Sequence, residues 1–139
     1  MIIQETFIAY EALGTLADSL HMLISSEHIR VFSMSSASKE VVLDMHLSEL
    51  RSSRAVAMKD CGTLSCTQHY VELSLHWDYE QSHSARRPQV RCDSESLAKK
   101  VSQEINYAKS VYEENRHSLN LPQAFQSTEF QFNGKVNDI

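Results

Sequence analysis

The spacing of apolar side chains changes period along this chain. Over about residues 4–25 they recur at Ile3, Phe7, Tyr10, Leu13, Leu16 or Ala17, Leu20 and Ile24. Steps of three and four lay these on one stripe of a 3.6-residue period, which predicts a long amphipathic helix. Ser25 and Ser26 supply its stop. The period then drops to two. In residues 41–48 the odd positions read Val41, Leu43, Met45, Leu47, and the even ones after Val42 read Asp44, His46, Ser48. That is a strand with one buried face. Residues 29–34 predict a shorter strand before it, with 35–39 as the turn between them.

The alternation is longest between Leu64 and Glu80. His69, Val71, Leu73, Leu75, Trp77 and Tyr79 occupy one face, and Tyr70, Glu72, Ser74, His76, Asp78 and Glu80 the other. No helix fits that rhythm. Residues 53–59 predict a further strand, joined to it through Asp60-Cys61-Gly62-Thr63. Gln81 to Gln89, with Pro88, reads as a loop. A second helix starts at Asp93 or Ser94, both good N-caps, and Leu97, Val101, Ile105, Ala108 and Val111 or Tyr112 carry its stripe to about Arg116. In the last segment Phe130 and Phe132 alternate with polar residues, and Asn133-Gly134 is a hairpin signal. A C-terminal strand, hairpin or arm is expected over about 119–139.

The expected order is therefore α–β–β–(β)–β–α–β. It predicts a single α+β domain over 1–139: an antiparallel β-meander of three to four strands, two long helices on one face, and the C-terminal strand or arm. That order is similar to the αβββα arrangement of double-stranded RNA-binding domains, and Ala98-Lys99-Lys100 falls early in the second helix. The loop histidine pattern and strongly basic helix face of those domains are lacking, and no family is assigned.

Composition sharpens this picture in few places. A chain of 139 residues with 42% hydrophobic and 22% charged content is long enough to bury one core without disulfides or metal. Cys61, Cys66 and Cys92 are an odd set, no basic region precedes the apolar positions of residues 1–24, and no run is long enough to span a membrane. A reducing, cytoplasmic setting is the expectation. The net charge of −5 argues against general nucleic-acid binding. A local basic cluster, Arg86, Arg87 and Arg91 ahead of a helix N-terminus, could still contact an anion or a nucleic-acid end.

Candidate chemistry is sparse. His69 and His76 fall on opposite strand faces, Cys61 and Cys66 lack a second pair, and no metal or cofactor is expected. Asp44 and His46 on one strand, with His76 and Asp78 on another, could meet as a His–carboxylate cluster for a small hydrolase or nuclease-like enzyme. Arg91 and a helix N-terminus beside Cys92 could lower its thiol pKa, though a structural thiol is the simpler reading. Phe125, Phe130 and Phe132 could add to another chain's sheet edge, which suggests a homodimer or higher oligomer. With no nucleophile elbow, phosphate loop or cofactor motif, the leading expectation is a non-catalytic interaction protein. It would be a small acidic adaptor, inhibitor or regulatory subunit acting on a protein partner, away from membranes.

Overall fold

The computed structural model describes residues 18–34, 39–59, 67–76, 87–117 and 125–138. Seven strands run in sequence as β1 (Asp18–Ile24), β2 (His28–Ser33), β3 (Glu40–His46), β4 (Leu50–Lys59), β5 (Thr67–Leu75), β6 (Pro88–Cys92) and β7 (Thr128–Asp138). One helix, α1 (Glu95–His117), lies between β6 and β7. Strand accounts for 59% of the described residues and helix for 25%, so in place of the expected small meander under two long helices the described residues form a seven-stranded antiparallel sheet with one helix.

The sheet order, β3-β2-β1-β7-β6-β5-β4, dictates the shape. Every neighbouring pair is antiparallel. Laid flat, six inter-strand steps of about 4.8 Å would put β3 and β4 about 29 Å apart. They would also run parallel, a relation that needs a crossover of a dozen or more residues. Yet only Leu47, Ser48 and Glu49 join them, a connection that reaches about 14 Å at full extension. The sheet must therefore fold over, so that β3 and β4 meet at a corner rather than as ladder partners. Hydrogen bonds pin that corner on both sides. Leu47 N–H donates to Glu27 C=O at 2.8 Å, and His76 N–H donates to Glu49 C=O at 3.1 Å.

β7 links the two halves. Its residues 128–134 pair with β1, and 135–138 pair with β6. Gly134 sits at the handover, where a Cβ would fall on the Arg91 carbonyl oxygen and against the Phe132 ring. The Asn133-Gly134 dipeptide thus lies within one continuous strand and makes no hairpin. The glycine is there for close backbone approach.

Inward positions from both halves fill one core: Leu20, Met22 and Ile24, Ile29 and Val31, Leu43 and Met45, Val71, Leu73 and Leu75, Val90 and Cys92, Phe130 and Phe132. The β5 alternation is as predicted through Leu75, and residues 77–80 lie outside the described residues. α1 buries Val101, Ile105, Ala108 and Val111 of its predicted stripe, while at its start Ala98 is the buried residue and Leu97 is half-buried. Ser94 caps it, its hydroxyl accepting from Leu97 N–H at 3.1 Å. The helix packs chiefly on β4 and β5. There Asn106 reaches the outer strand, its amide accepting from Ser53 N–H at 2.8 Å and donating to Ser53 C=O at 2.9 Å. Both backbone groups of an edge residue are satisfied by one side chain, which closes part of the edge to other strands.

Three local expectations need correction. Residues 18–24, assigned to a first helix, form β1, and the remainder of that helix lies outside the described residues. Leu20, Met22 and Ile24 satisfy a two-residue period as well as the helical one, and pairing with β2 and β7 selects the strand. The presumed loop before α1 contains β6. Finally, a bulge at Val31/Phe32 pairs Val41 with Phe32, so Val41 turns outward and is 53% exposed.

Candidate functional site

The side chains with chemistry gather on the outer face of the β1–β2–β3 half, because alternation sends the apolar set inward. Register sets His28 opposite His46 and Arg30 opposite Asp44. The His28 and His46 rings meet edge to face at 4.9 Å between centroids, and Tyr112 of α1 meets His46 edge to face at 5.6 Å. Asp44 Oδ1 lies 3.4 Å from both His28 Nδ1 and Arg30 Nε. Ser48 N–H donates to His46 Nδ1 at 3.0 Å, with the Ser48 hydroxyl 2.8 Å from the same nitrogen. Further along the face, His21 Nε2 lies 3.4 Å from Glu129, and Lys39 sits over the Phe32 ring at 4.1 Å.

Asp44 and His46 are therefore neighbours on one strand, as expected. His76 follows β5, and β5 stands on the far side of the sheet order from β3. His76 approaches the corner through its backbone bond to Glu49, and Asp78 lies outside the described residues. The carboxylate partner of the histidine pair is not across from β5 but on β3 itself, and the second histidine is His28. His28 and His46 are 18 positions apart, and only the β2–β3 register reveals their meeting.

The other half of the outer face carries a ladder of Arg54, Glu72 and Gln89 across β4, β5 and β6. Arg54 Nη2 donates to Glu72 Oε1 at 3.0 Å and Gln89 Nε2 to Oε2 at 3.1 Å. Burial pushes the Glu72 carboxyl pKa up, but the hydrogen bonds from Gln89 and Arg54 and the charges of Arg54 and Arg87 outweigh it and hold the group below its ordinary value. Of the basic cluster, Arg86 lies outside the described residues, Arg87 is exposed, and Arg91 is buried within β6. Arg91 lines a recess of about 240 Å³ with Gln68, His69 and Asp93. Cys92 is buried in the core, where burial first and Asp93 second push its thiol up to about 12. It is a structural thiol.

Phe130 and Phe132 face the chain's own core, opposite Met22 and Leu20 across β1–β7, and Phe125 packs against the same cluster beside Tyr107. The aromatic pattern that suggested a homo-oligomer is thus used within one chain, and that inference is withdrawn. No described helix is long and apolar enough to cross a membrane.

Among the described residues these features define a folded-over antiparallel sheet packed by one helix, with a polar histidine-bearing outer face. No family model matches the chain, and no solved structure matches it. Over 106 residues it is 36% identical to the intermembrane lipid transfer protein Vps13D of Drosophila melanogaster, an alignment covering 72% of this chain and 3% of that protein. The chain is thus similar to one short segment of a very long lipid-transfer protein. Neither the adaptor or inhibitor expectation nor the enzyme alternative draws support from that likeness.

Proposed function

We propose that this chain is a folded module of an intermembrane lipid-transfer protein, and that it contributes recognition rather than carrying lipid in its own interior. The likeness to Vps13D over 106 residues supports the first part. The second rests on the core. Leu20, Met22, Ile24, Ile29, Val31, Leu73, Val90 and Ile105 are at most 2% exposed and belong to one cluster shared by both halves of the sheet and α1. Among the described residues, side chains fill the space between the two halves of the sheet and α1, whereas ligand pockets of lipid size measure roughly 300–1,000 Å³ and are lined mainly by apolar groups. The 240 Å³ recess beside Arg91 is smaller, and Gln68, His69 and Asp93 give it a polar wall.

The test has two arms. The purified chain is incubated with mixed phospholipid vesicles, re-isolated and weighed by native mass spectrometry. No stoichiometric lipid is expected, and one bound lipid per chain would overturn the recognition reading. In the second arm the matching segment of the Drosophila protein is deleted, or replaced by this one, and lipid transfer between vesicles is followed. The replacement should restore what deletion impairs. A folded replacement no better than the deletion would overturn the assignment to lipid transfer.

A further inference from the structure

We propose that Glu27, His28 and His46 form a binding site for a divalent transition-metal ion of the zinc type, with Asp44 and Ser48 orienting the two imidazoles. Each of the three residues offers one ligand atom, and these atoms all lie within 4.8 Å of one another. A tetrahedral ion with bonds of about 2.0–2.1 Å holds its ligands about 3.3 Å apart, so closure needs shifts of roughly 1.5 Å. Glu27 is exposed and has three free torsions to supply most of that movement. Its backbone, by contrast, is fixed. The turn carrying it is tied by Ser25 N–H to His28 C=O at 2.9 Å and by His28 N–H to the Ser25 hydroxyl at 3.1 Å, and Glu27 C=O accepts from Leu47. The ligands therefore stand on two elements already locked together.

The surroundings suit ligation. His28 Nδ1 is shielded from solvent and makes no hydrogen bond, although Asp44 Oδ1 is only 3.4 Å away. A small rotation turns this pair into an N–H···carboxylate bond, the arrangement that sets ring orientation and strengthens ligating histidines. His28 then presents Nε2 to the ion. For His46 to do likewise its ring proton must sit on Nδ1, where the Ser48 hydroxyl at 2.8 Å accepts it and the bond from Ser48 N–H is given up. Two imidazoles and one carboxylate select zinc-like ions over magnesium or calcium, and leave a fourth position for water or a partner's ligand. The charged groups near the pair include Glu27 in the β1–β2 turn, Asp44 and Arg30 on the strands, and Lys109 of α1, which lies 5.4 Å from the Tyr112 ring centroid, donates to Leu47 C=O at 2.8 Å and pairs with Glu113. An ion held there would clamp the β1–β2 turn to the corner between β3 and β4.

The test is titration of the full 139-residue chain with zinc chloride in a non-chelating buffer, with Cys61→Ser and Cys66→Ser removing competing thiols. One equivalent should bind, and Glu27→Gln, His28→Gln and Asp44→Asn should each weaken it by about 10-fold or more. His21→Gln should leave it unchanged. Because His46 packs on Tyr112, its part is read without mutation: zinc should shift the ring NMR signals of His28 and His46 and not those of His21 or His76. No binding at millimolar zinc, binding indifferent to Glu27→Gln and His28→Gln, or shifts confined to other histidines would overturn the site.

Discussion

Gly134 offers the most direct check on how the two halves of the sheet are joined. In Gly134→Ala the new methyl group collides with the Arg91 carbonyl oxygen, a backbone atom of a paired strand, and touches Phe132 Cε2 at 3.0 Å. No side-chain rotation relieves a clash with backbone, so β6 and β7 must separate locally. Overpacking of this kind costs about 1–3 kcal/mol, and separation of the pair moves the cost toward the upper end. The same substitution restricts the unfolded chain and returns about 0.4–1 kcal/mol. The net is a loss of roughly 1–2.5 kcal/mol, which for a domain of this size lowers Tm by about 3–10 °C. Differential scanning calorimetry measures the shift, and amide exchange locates it. Protection should fall first along the Arg91/Lys135 and Val90/Val136 pairs that adjoin the handover. An unchanged or raised Tm would refute the close approach, because only the unfolded-state gain would then remain.

Three further outcomes follow from the packing. In a Cys61→Ser, Cys66→Ser background, native Cys92 should resist a thiol reagent at pH 8 and react on unfolding, since burial holds it protonated up to about 12; rapid native labelling would contradict its place in the core. Asn106→Ala should destabilise by about 1–2 kcal/mol in urea unfolding, because Ser53 loses partners for both its N–H and its C=O and an edge of β4 is opened. Glu72→Gln bears on pH. The folded carboxyl titrates below its unfolded value of about 4.3, so its contribution is present above that pH and is lost as pH falls through the lower folded value. The wild type should exceed the variant by under about 1 kcal/mol at pH 7, since Arg54 is two-thirds exposed, and the two should converge in acid melts.

What the chain revealed in advance was whatever depended on neighbours in sequence. Val71, Leu73 and Leu75 announce β5, and Ser94 with the Val101–Ile105–Ala108 stripe announces α1. Where two periods shared the same residues, as at Leu20 and Ile24, the local pattern was ambiguous, and partners from the other end of the chain decided it. β6 was hidden because five residues with Pro88 at the start and Arg91 inside resemble a loop until β5 and β7 flank them. The same limit applies to the outer face. Asp44 and His46 sit in a strand whose side-chain directions were readable and His28 just ahead of the predicted strand 29–34, but their meeting depends on register, and a single bulge at Val31/Phe32 was enough to reverse Val41.

β7 also bears on how the protein is made. Each three-stranded meander is built from residues close together, so either can form while the ribosome is still translating. Neither can be joined to the other along its exposed margin until Thr128–Asp138 has left the exit tunnel. A nascent chain stalled before that point would present β1 and β6 as two unzipped borders, and chaperone occupancy should drop when the last strand emerges.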